Sequence, residues 1–172
     1  MANRSKLYTK SLLSKNVTIP FTKIGKHIDK LLLTKIKNKY EGKCISEGYV
    51  KNNSCKIVSY SSGTILDGDE ADFLVVFECD ICLPMEGLKV ECIIRNITKA
   101  GLRAEINEDV SPIVIYLARD HHYNNTIFSK INIGDTINVK VIGKRYELND
   151  PNISILGELI DSIVKRERLE IE

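Results

Sequence analysis

The spacing of apolar and polar residues predicts one helix near the start of the chain. From Thr22 to Tyr40 the apolar side chains recur every three or four positions, at Ile24, Ile28, Leu31, Leu32 and Ile36. This period is typical of an amphipathic helix. We expect Thr22 to cap its first turn and Gly42 to end it. Two short strand-like stretches, 6–13 and 17–19, come before it, and Pro20 interrupts that pattern.

Beyond the helix the pattern changes to alternation with a period of two. Strands are predicted at 43–50, 55–60 and 71–79, where 55–60 returns from 43–50 after a turn at 52–54. Further turn clusters lie at 61–63 and 67–69. The continuous apolar run 73–77 predicts a strand covered on both faces, with the helix on one side. Residues 1–84 are therefore predicted to form an α+β N-terminal domain, an antiparallel sheet with one main helix.

Past Pro84 and Gly87 the pattern is purely β. Five strands are predicted, at 88–97, 102–106, 112–117, 136–146 and 153–159, with a tight turn at 99–101 and a polar loop at 120–130. Five short strands with a long irregular stretch after the third match a closed barrel of the OB type. We expect this all-β OB-fold barrel to span 85–160, and a C-terminal tail at 161–172 to form a short helix or a frayed end.

The cysteines and histidines are candidate metal ligands. Cys79 and Cys82 form a CxxC pair that could be half of a zinc site, but a second ligand pair with suitable spacing is missing. Five cysteines, an odd number, without a signal-peptide pattern indicate an intracellular reducing compartment, nucleus or cytoplasm. We interpret the cysteines as buried thiols, His121 and His122 as exposed loop residues, and the carboxylates at 67–70 as a solvated turn. No metal, no cofactor and no catalytic residue are predicted, because the known catalytic motifs are missing.

Basic and aromatic residues of the barrel are candidates for RNA contact. OB barrels bind strands of nucleic acid on their second and third strands and the flanking loops. The candidates lie at the first barrel hairpin, at the end of the third strand and at the end of the fourth: Arg95, Lys99, Arg103, Tyr116, Arg119, His121, Lys144 and Arg145. The alternative is that these cations are only the solvated face of the barrel. A net charge of +2 permits nucleic-acid binding without requiring it.

Several short motifs follow one another in a distinctive order. They read EGKC at 41–44, GYV at 48–50, MEGLKV at 85–90, KAGL at 99–102, VKVIG at 139–143 and SILGEL at 154–159. In this order, over residues 7–160, the chain resembles the large stalk subunit, of the seventh-subunit type, of the multisubunit DNA-directed RNA polymerases of archaea and eukaryotes. Abundant isoleucine, lysine and asparagine indicate an AT-rich genome, and together with compact loops they suggest a large DNA virus and its virion.

The resemblance implies a non-catalytic accessory subunit. Its N-terminal domain would dock on the polymerase core near the clamp, through Pro20, Phe21, Gly63, Asp67 and Gly68. Both domains would bind a smaller stalk partner, and the barrel would face nascent RNA or initiation factors, with no membrane involved. Phe21 is either an exposed anchor for docking or a hydrophobic staple for the helix.

Two other functions remain open from the sequence. The first is a free-standing OB-fold RNA-binding protein of translation or RNA decay, which would bind RNA without a large partner. The second is an enzyme or metal protein that uses Cys79, Cys82 and the histidines. Co-purification with polymerase subunits, RNA binding by the isolated chain and metal content distinguish the three.

Overall fold

A computed structural model describes residues 7–161, and the protein in this range is mostly β. The chain divides into two compact units, the first unit at 7–83 and the barrel unit at 84–161. Of the C-terminal tail predicted at 161–172, Asp161 ends the last strand, and the rest of the predicted short helix or frayed end lies outside the described residues.

The first unit is an antiparallel sheet built around one long central strand. Its elements are β1 (Tyr8–Pro20), α1 (Ile28–Tyr40), β2 (Cys44–Ile45), β3 (Gly48–Val50), β4 (Lys56–Tyr60), β5 (Thr64–Ile65) and β6 (Glu70–Cys82). Strand β6 pairs with β1 along its whole length, from Tyr8 opposite Cys82 to Pro20 opposite Glu70. Its other edge pairs in turn with β3, β4 and β5. Among the described strands, β1 therefore forms an open edge of this sheet.

The helix packs on one face of the sheet and closes the core of the first unit. Leu32, Ile36 and Tyr40 of α1 are buried together with the odd-numbered residues of β6, and the rings of Tyr40 and Phe77 stack with centroids 5.9 Å apart. The even-numbered residues of β6 point to the other face, where Leu74 is 47% exposed. The prediction that this strand is covered on both faces is therefore wrong. Residues 73–77 are all apolar, so the sequence does not show that buried and partly exposed positions alternate along this strand.

The predicted helix starts six residues too early. Residues Phe21–Lys23 form a separate 3-10 turn, Ile24 has extended backbone angles, and α1 begins only at Ile28. Thr22 therefore does not cap the helix, whose cap position is taken by His27. The end of the helix is confirmed, because α1 stops at Tyr40 and Gly42 adopts a φ of +70°.

Three strand predictions in the first unit also need correction. The stretches 6–13 and 17–19 belong to one continuous strand, because the polar residues between them pair with β6 as well. The predicted strand 43–50 is a tight hairpin of β2 and β3, with Gly48 at a φ of +132°. Strand β4 pairs with β6 and not with that hairpin. The two-residue strand β5 was not predicted.

The barrel unit contains five strands that close on themselves. They are β7 (Lys89–Ile97), β8 (Gly101–Glu105), β9 (Ile113–Ala118), β10 (Thr136–Arg145) and β11 (Ile153–Asp161). Around the barrel the order is β7, β8, β9, β11, β10 and back to β7, and only the β9–β11 pair is parallel. The five predicted barrel strands and their closure are confirmed.

Two glycines lie where the barrel strands pack very closely against each other. A Cβ atom on Gly101 would lie 2.0 Å from the carbonyl oxygen of Leu117, and one on Gly157 would lie 2.2 Å from Cγ1 of Val139. No Cβ atom can approach a backbone oxygen as closely as at Gly101, and the close atom at Gly157 belongs to the stiff, fully buried side chain of Val139, which has little room to move. These two glycines are therefore required by the packing of the barrel.

Candidate functional site

Two of the predicted RNA-contact residues lie side by side on the outside of the barrel. Leu102 and Ala104 of β8 point inward and are buried, so Arg103 between them points outward. Arg103 stands directly opposite Tyr116 of β9 in the strand register. The Arg103 side chain is 42% exposed and Tyr116 is 46% exposed. A guanidinium beside an accessible ring is an arrangement that can bind a base and its phosphate.

A shallow groove continues this surface toward the fourth barrel strand. Its volume is about 280 Å³, and it is lined by Tyr116, Gly143, Lys144, Arg145, Ser154, Ile155 and Leu156. The lining thus includes Tyr116 of β9 together with Lys144 and Arg145 of β10, although β11 lies between these two strands. We call this surface, from Arg103 through Tyr116 to Arg145, the barrel groove.

Several of these cations already have partners within the protein. The carboxylate of Glu105 lies 2.8 Å from Nη2 of Arg103 and 3.7 Å from Nε of Arg95. Nζ of Lys144 donates a hydrogen bond to the carbonyl oxygen of Pro84 at 3.0 Å. Nη2 of Arg145 lies 3.6 Å from a carboxylate oxygen of Glu147. These contacts reduce the positive charge that the barrel groove offers to a phosphate.

The remaining candidates form a separate group at the β7–β8 turn. The backbone N–H of Arg119 donates to the carbonyl oxygen of Ala100 at 2.9 Å, and its Nη2 atom donates to that of Thr98 at 3.3 Å. Lys99 belongs to this turn, and His121 follows Arg119 in the same 3-10 turn. The structure therefore places Lys99, Arg119 and His121 at one end of the barrel.

The two adjacent histidines differ in their surroundings. His121 is exposed, but His122 is buried, so the interpretation of both as exposed loop residues is wrong for His122. Nδ1 of His122 lies 2.7 Å from the carbonyl oxygen of Ala118, and Nε2 accepts a hydrogen bond from the N–H of Leu159 at 2.9 Å. Its ring stacks on Phe128 at 4.7 Å. His122 therefore fixes the predicted loop to the barrel.

Four of the five predicted docking residues come together at one end of the first unit. The N–H of Phe21, next to Pro20, donates to the carbonyl oxygen of Asp69 at 2.9 Å. The turn that contains Asp67 and Gly68 is closed by a hydrogen bond from Leu66 to Glu70, and Gly68 adopts a φ of +97°. Gly63, the fifth, instead packs under the ring of Phe73. We call residues 20–24 together with 64–70 the tip.

The tip exposes apolar side chains that sequence reasoning missed. Ile65 is 74% exposed, and Leu66, Phe21 and Ile24 are also exposed. Phe21 is not a staple for α1, because the helix begins seven residues after it. Ile65 lies on strand β5, which has only two residues. An alternating pattern cannot be recognised over so short a stretch of sequence.

The cysteines behave as buried thiols. All five are buried and unbridged. Cys55 and Cys79 share a hydrogen bond, which raises the pKa of Cys55 and lowers that of Cys79, and burial raises the pKa of Cys92 to about 12. Within residues 7–161, no three His, Cys, Asp or Glu side chains are grouped so that they could hold a metal ion. In the same range, no helix has the length and apolar character needed to cross a membrane.

Comparison with known proteins gives one informative similarity. No protein family profile matches the chain. The chain is 24% identical, over 178 aligned positions, to a protein of Acanthamoeba polyphaga mimivirus named "Putative DNA-directed RNA polymerase subunit". The alignment covers 94% of this chain and 85% of the mimivirus protein. The protein is thus similar, over nearly its full length, to a viral protein that is named as a polymerase subunit.

Proposed function

We propose that this protein is a non-catalytic accessory subunit of a DNA-directed RNA polymerase, of the stalk type, encoded by a large DNA virus. The observation that carries the proposal is the similarity to the mimivirus protein, because it spans both units and not one common domain. The order of an open sheet with one helix followed by a closed barrel agrees with the motifs that resemble the large stalk subunit.

The barrel is the unit that would face RNA or initiation factors. Its order, with the third strand parallel to the fifth and the first closing on the fourth, supports an OB-type barrel. The second and third strands carry Arg103 and Tyr116, where OB barrels bind nucleic acid. The partly neutralised cations of the barrel groove favour weak binding, which suits a subunit that is brought to RNA by its complex.

The tip is the surface that would dock on the polymerase core near the clamp. Exposed apolar side chains on a soluble unit mark protein contacts when they are grouped. Phe21, Ile65 and Leu66 are grouped there, beside the carboxylates of Asp67 and Asp69. A smaller stalk partner would bind the same subunit at other surfaces.

Affinity purification from cells that express the protein at native level tests the proposal. We expect the tagged protein to retain the large polymerase subunits, and Ile65→Asp at the tip to lose most of them. Ile133→Asp is the matched control, because Ile133 is 64% exposed on the barrel unit. Failure of the wild-type protein to retain any large polymerase subunit would refute the function. Equal recovery with Ile65→Asp and wild type would refute docking through the tip.

A free-standing RNA-binding protein is the second candidate, and the barrel groove beside Tyr116 is the observation that favours it. This function predicts RNA binding by the isolated chain and no stable large partner. Gel filtration of cell lysate separates the two, since a polymerase subunit elutes with a complex far above 19.4 kDa.

A further inference from the structure

The positive charge of the first unit is concentrated on one element. Residues 23–43, which comprise α1 and its flanks, contain seven lysines and two carboxylates, a balance of +5. The lysines are Lys23, Lys26, Lys30, Lys35, Lys37, Lys39 and Lys43. The whole chain has a net charge of only +2, so the residues outside 23–43 are together acidic.

Few interactions within the first unit stabilise these lysines. None of the ion pairs found within residues 7–161 involves them. Cations near the last turn of a helix are favourable, which accounts for Lys37 and Lys39, but Lys26 and Lys30 lie near the N-terminus, where cations are unfavourable. Lys35 and Lys39 are four residues apart, and like charges at that spacing destabilise a helix. The fold alone therefore does not explain this charge.

The carboxylates of the segment are occupied elsewhere. Oε1 of Glu41 accepts a hydrogen bond from the backbone N–H of Cys55 at 2.9 Å, and Asp29 lies in the first turn of α1. The position of Asp29 suits the positive end of the helix dipole. Neither carboxylate is thus placed as a partner for Lys35 or Lys39.

A cleft lies between α1 and the open edge strand β1. Its volume is about 540 Å³, and it is lined by Asn16, Val17, Thr18, Lys35, Asn38 and Lys39. The two ammonium groups of Lys35 and Lys39 and the side-chain amide of Asn38 are hydrogen-bond donors that suit phosphate oxygens. The Nζ atom of Lys39 lies 5.3 Å from the centre of the Tyr40 ring, a contact that restrains it. We call this place the α1–β1 cleft.

We propose that the α1–β1 cleft and the lysines of α1 bind the phosphodiester backbone of a nucleic acid. Helix α1 has 13 residues and so extends over about 20 Å, enough to meet several phosphates. Protein interfaces are apolar at their centre and depleted in lysine, whereas nucleic-acid interfaces are polar and basic. None of the exposed large hydrophobic residues lies within α1. The surface therefore fits a nucleic acid better than an acidic protein segment.

This proposal goes beyond the proposed function, because it assigns a nucleic-acid contact to the first unit as well as to the barrel unit. It requires neither docking on a polymerase nor RNA binding by the barrel groove. A pull-down without polymerase subunits would leave it standing, and loss of nucleic-acid binding would leave polymerase docking standing.

Fluorescence anisotropy of the purified full chain tests the proposal with two probes, a 20-nucleotide single-stranded RNA and a 20-base-pair DNA duplex. We expect the double variant Lys35→Glu/Lys39→Glu to weaken binding of at least one probe about tenfold and to reduce its salt slope by about 1.4 for RNA or 1.8 for duplex DNA. Lys35→Arg/Lys39→Arg should retain the wild-type affinity. The probe that responds identifies the type of nucleic acid.

The matched control is Lys130→Glu/Lys140→Glu, which changes the net charge equally on exposed lysines of the barrel unit. It should weaken binding by less than about twofold, and the thermal midpoints of all variants should match the wild type, since these lysines are exposed. Equal losses in both double variants would overturn the proposal, as would the absence of wild-type binding to either probe. Competition by polyglutamate as strong as by unlabelled nucleic acid would also overturn it, in favour of an acidic protein partner.

Discussion

The barrel unit, residues 84–161, holds nine basic and eleven acidic residues, while α1 and its flanks hold seven lysines against two carboxylates. Arg103 of the barrel groove and the neighbouring Arg95 are partly neutralised by Glu105, whereas no such ion pair is found for the lysines of α1 within the described residues. The barrel also closes on itself, whereas the sheet of the first unit leaves β1 as an open edge.

The two units therefore differ in charge in the opposite sense from what their folds suggest about nucleic-acid binding. An OB-type barrel, which we propose for the barrel unit, would bind nucleic acid on its second and third strands, but a net charge of −2 gives the barrel unit little long-range attraction for phosphates. The first unit, which we propose as the docking unit, carries the basic surface instead.

The closed barrel should not tolerate a side chain where its strands touch. Gly101→Val places a Cβ atom within 2.0 Å of the carbonyl oxygen of Leu117, and we expect it to destabilise the protein by about 3 kcal/mol or more. Gly25→Ala in the first unit is the control, because nothing lies within 4 Å of its Cβ position. Its stability should stay within about 0.5 kcal/mol of wild type. Urea unfolding measures both, and equal stabilities would contradict the close packing of the barrel.

The neighbouring histidines should differ sharply in their contribution to barrel stability. His122→Ala removes two hydrogen bonds and leaves the N–H of Leu159 buried without its acceptor, which should cost about 2 kcal/mol. His121→Ala removes an exposed side chain and should change the free energy of unfolding by less than about 0.5 kcal/mol. Thermal unfolding of the two variants makes the comparison, and a silent His122→Ala would show that the loop is not held by this ring.

Removing the exposed ring of the barrel groove should weaken RNA binding less than charge reversal on α1 does. Tyr116→Ala removes the ring beside Arg103, and the loss of one stacked base is expected to cost about 1 kcal/mol, or roughly fivefold in affinity. Its salt slope should not change, because no phosphate contact is lost. Anisotropy with the 20-nucleotide RNA measures both quantities, and Tyr123→Ala, another exposed ring of the barrel unit, is the control. A loss larger than the loss that Lys35→Glu/Lys39→Glu causes with the probe to which α1 responds would reverse the contrast between the two units.

The smallest effect should come from releasing the arginines of the barrel. Glu105→Gln removes the carboxylate that pairs with Arg95 and Arg103, so the barrel groove becomes more positive. We expect RNA affinity to rise about twofold, with a larger rise at low salt because these charges are exposed and screened. Glu158→Gln, which changes the net charge equally on β11, should raise it less. Unchanged affinity in both variants would indicate that RNA does not reach this face.

The barrel was predictable from sequence because its alternation is regular and its turns are clear. Val90, Cys92 and Ile94 alternate with Glu91, Ile93 and Arg95, two of which are charged, and Gly101 marks the turn at which β8 begins. The groove beside Tyr116 was not predictable, because it depends on β11 lying between β9 and β10, and strand order is a long-range property.

The first unit was predicted less well, for three local reasons. Ile24 continues the helical period by coincidence, and Gly25 then separates it from α1. Strands β2, β3 and β5 have only two or three residues each, too few for alternation to be recognised. The lysines of α1 were visible in the sequence, but the cleft beside β1, which Lys35 and Lys39 line, depends on the tertiary packing of the helix.

Site-specific photo-crosslinking in the assembled complex tests the central claim most directly. A photoreactive amino acid at position 65 replaces the most exposed apolar residue of the tip, and the same amino acid at position 133 is the control on the barrel unit. The account predicts that position 65 crosslinks to a large polymerase subunit and that position 133 does not. Crosslinks from position 133 alone, or none to any polymerase subunit from either position, would contradict it.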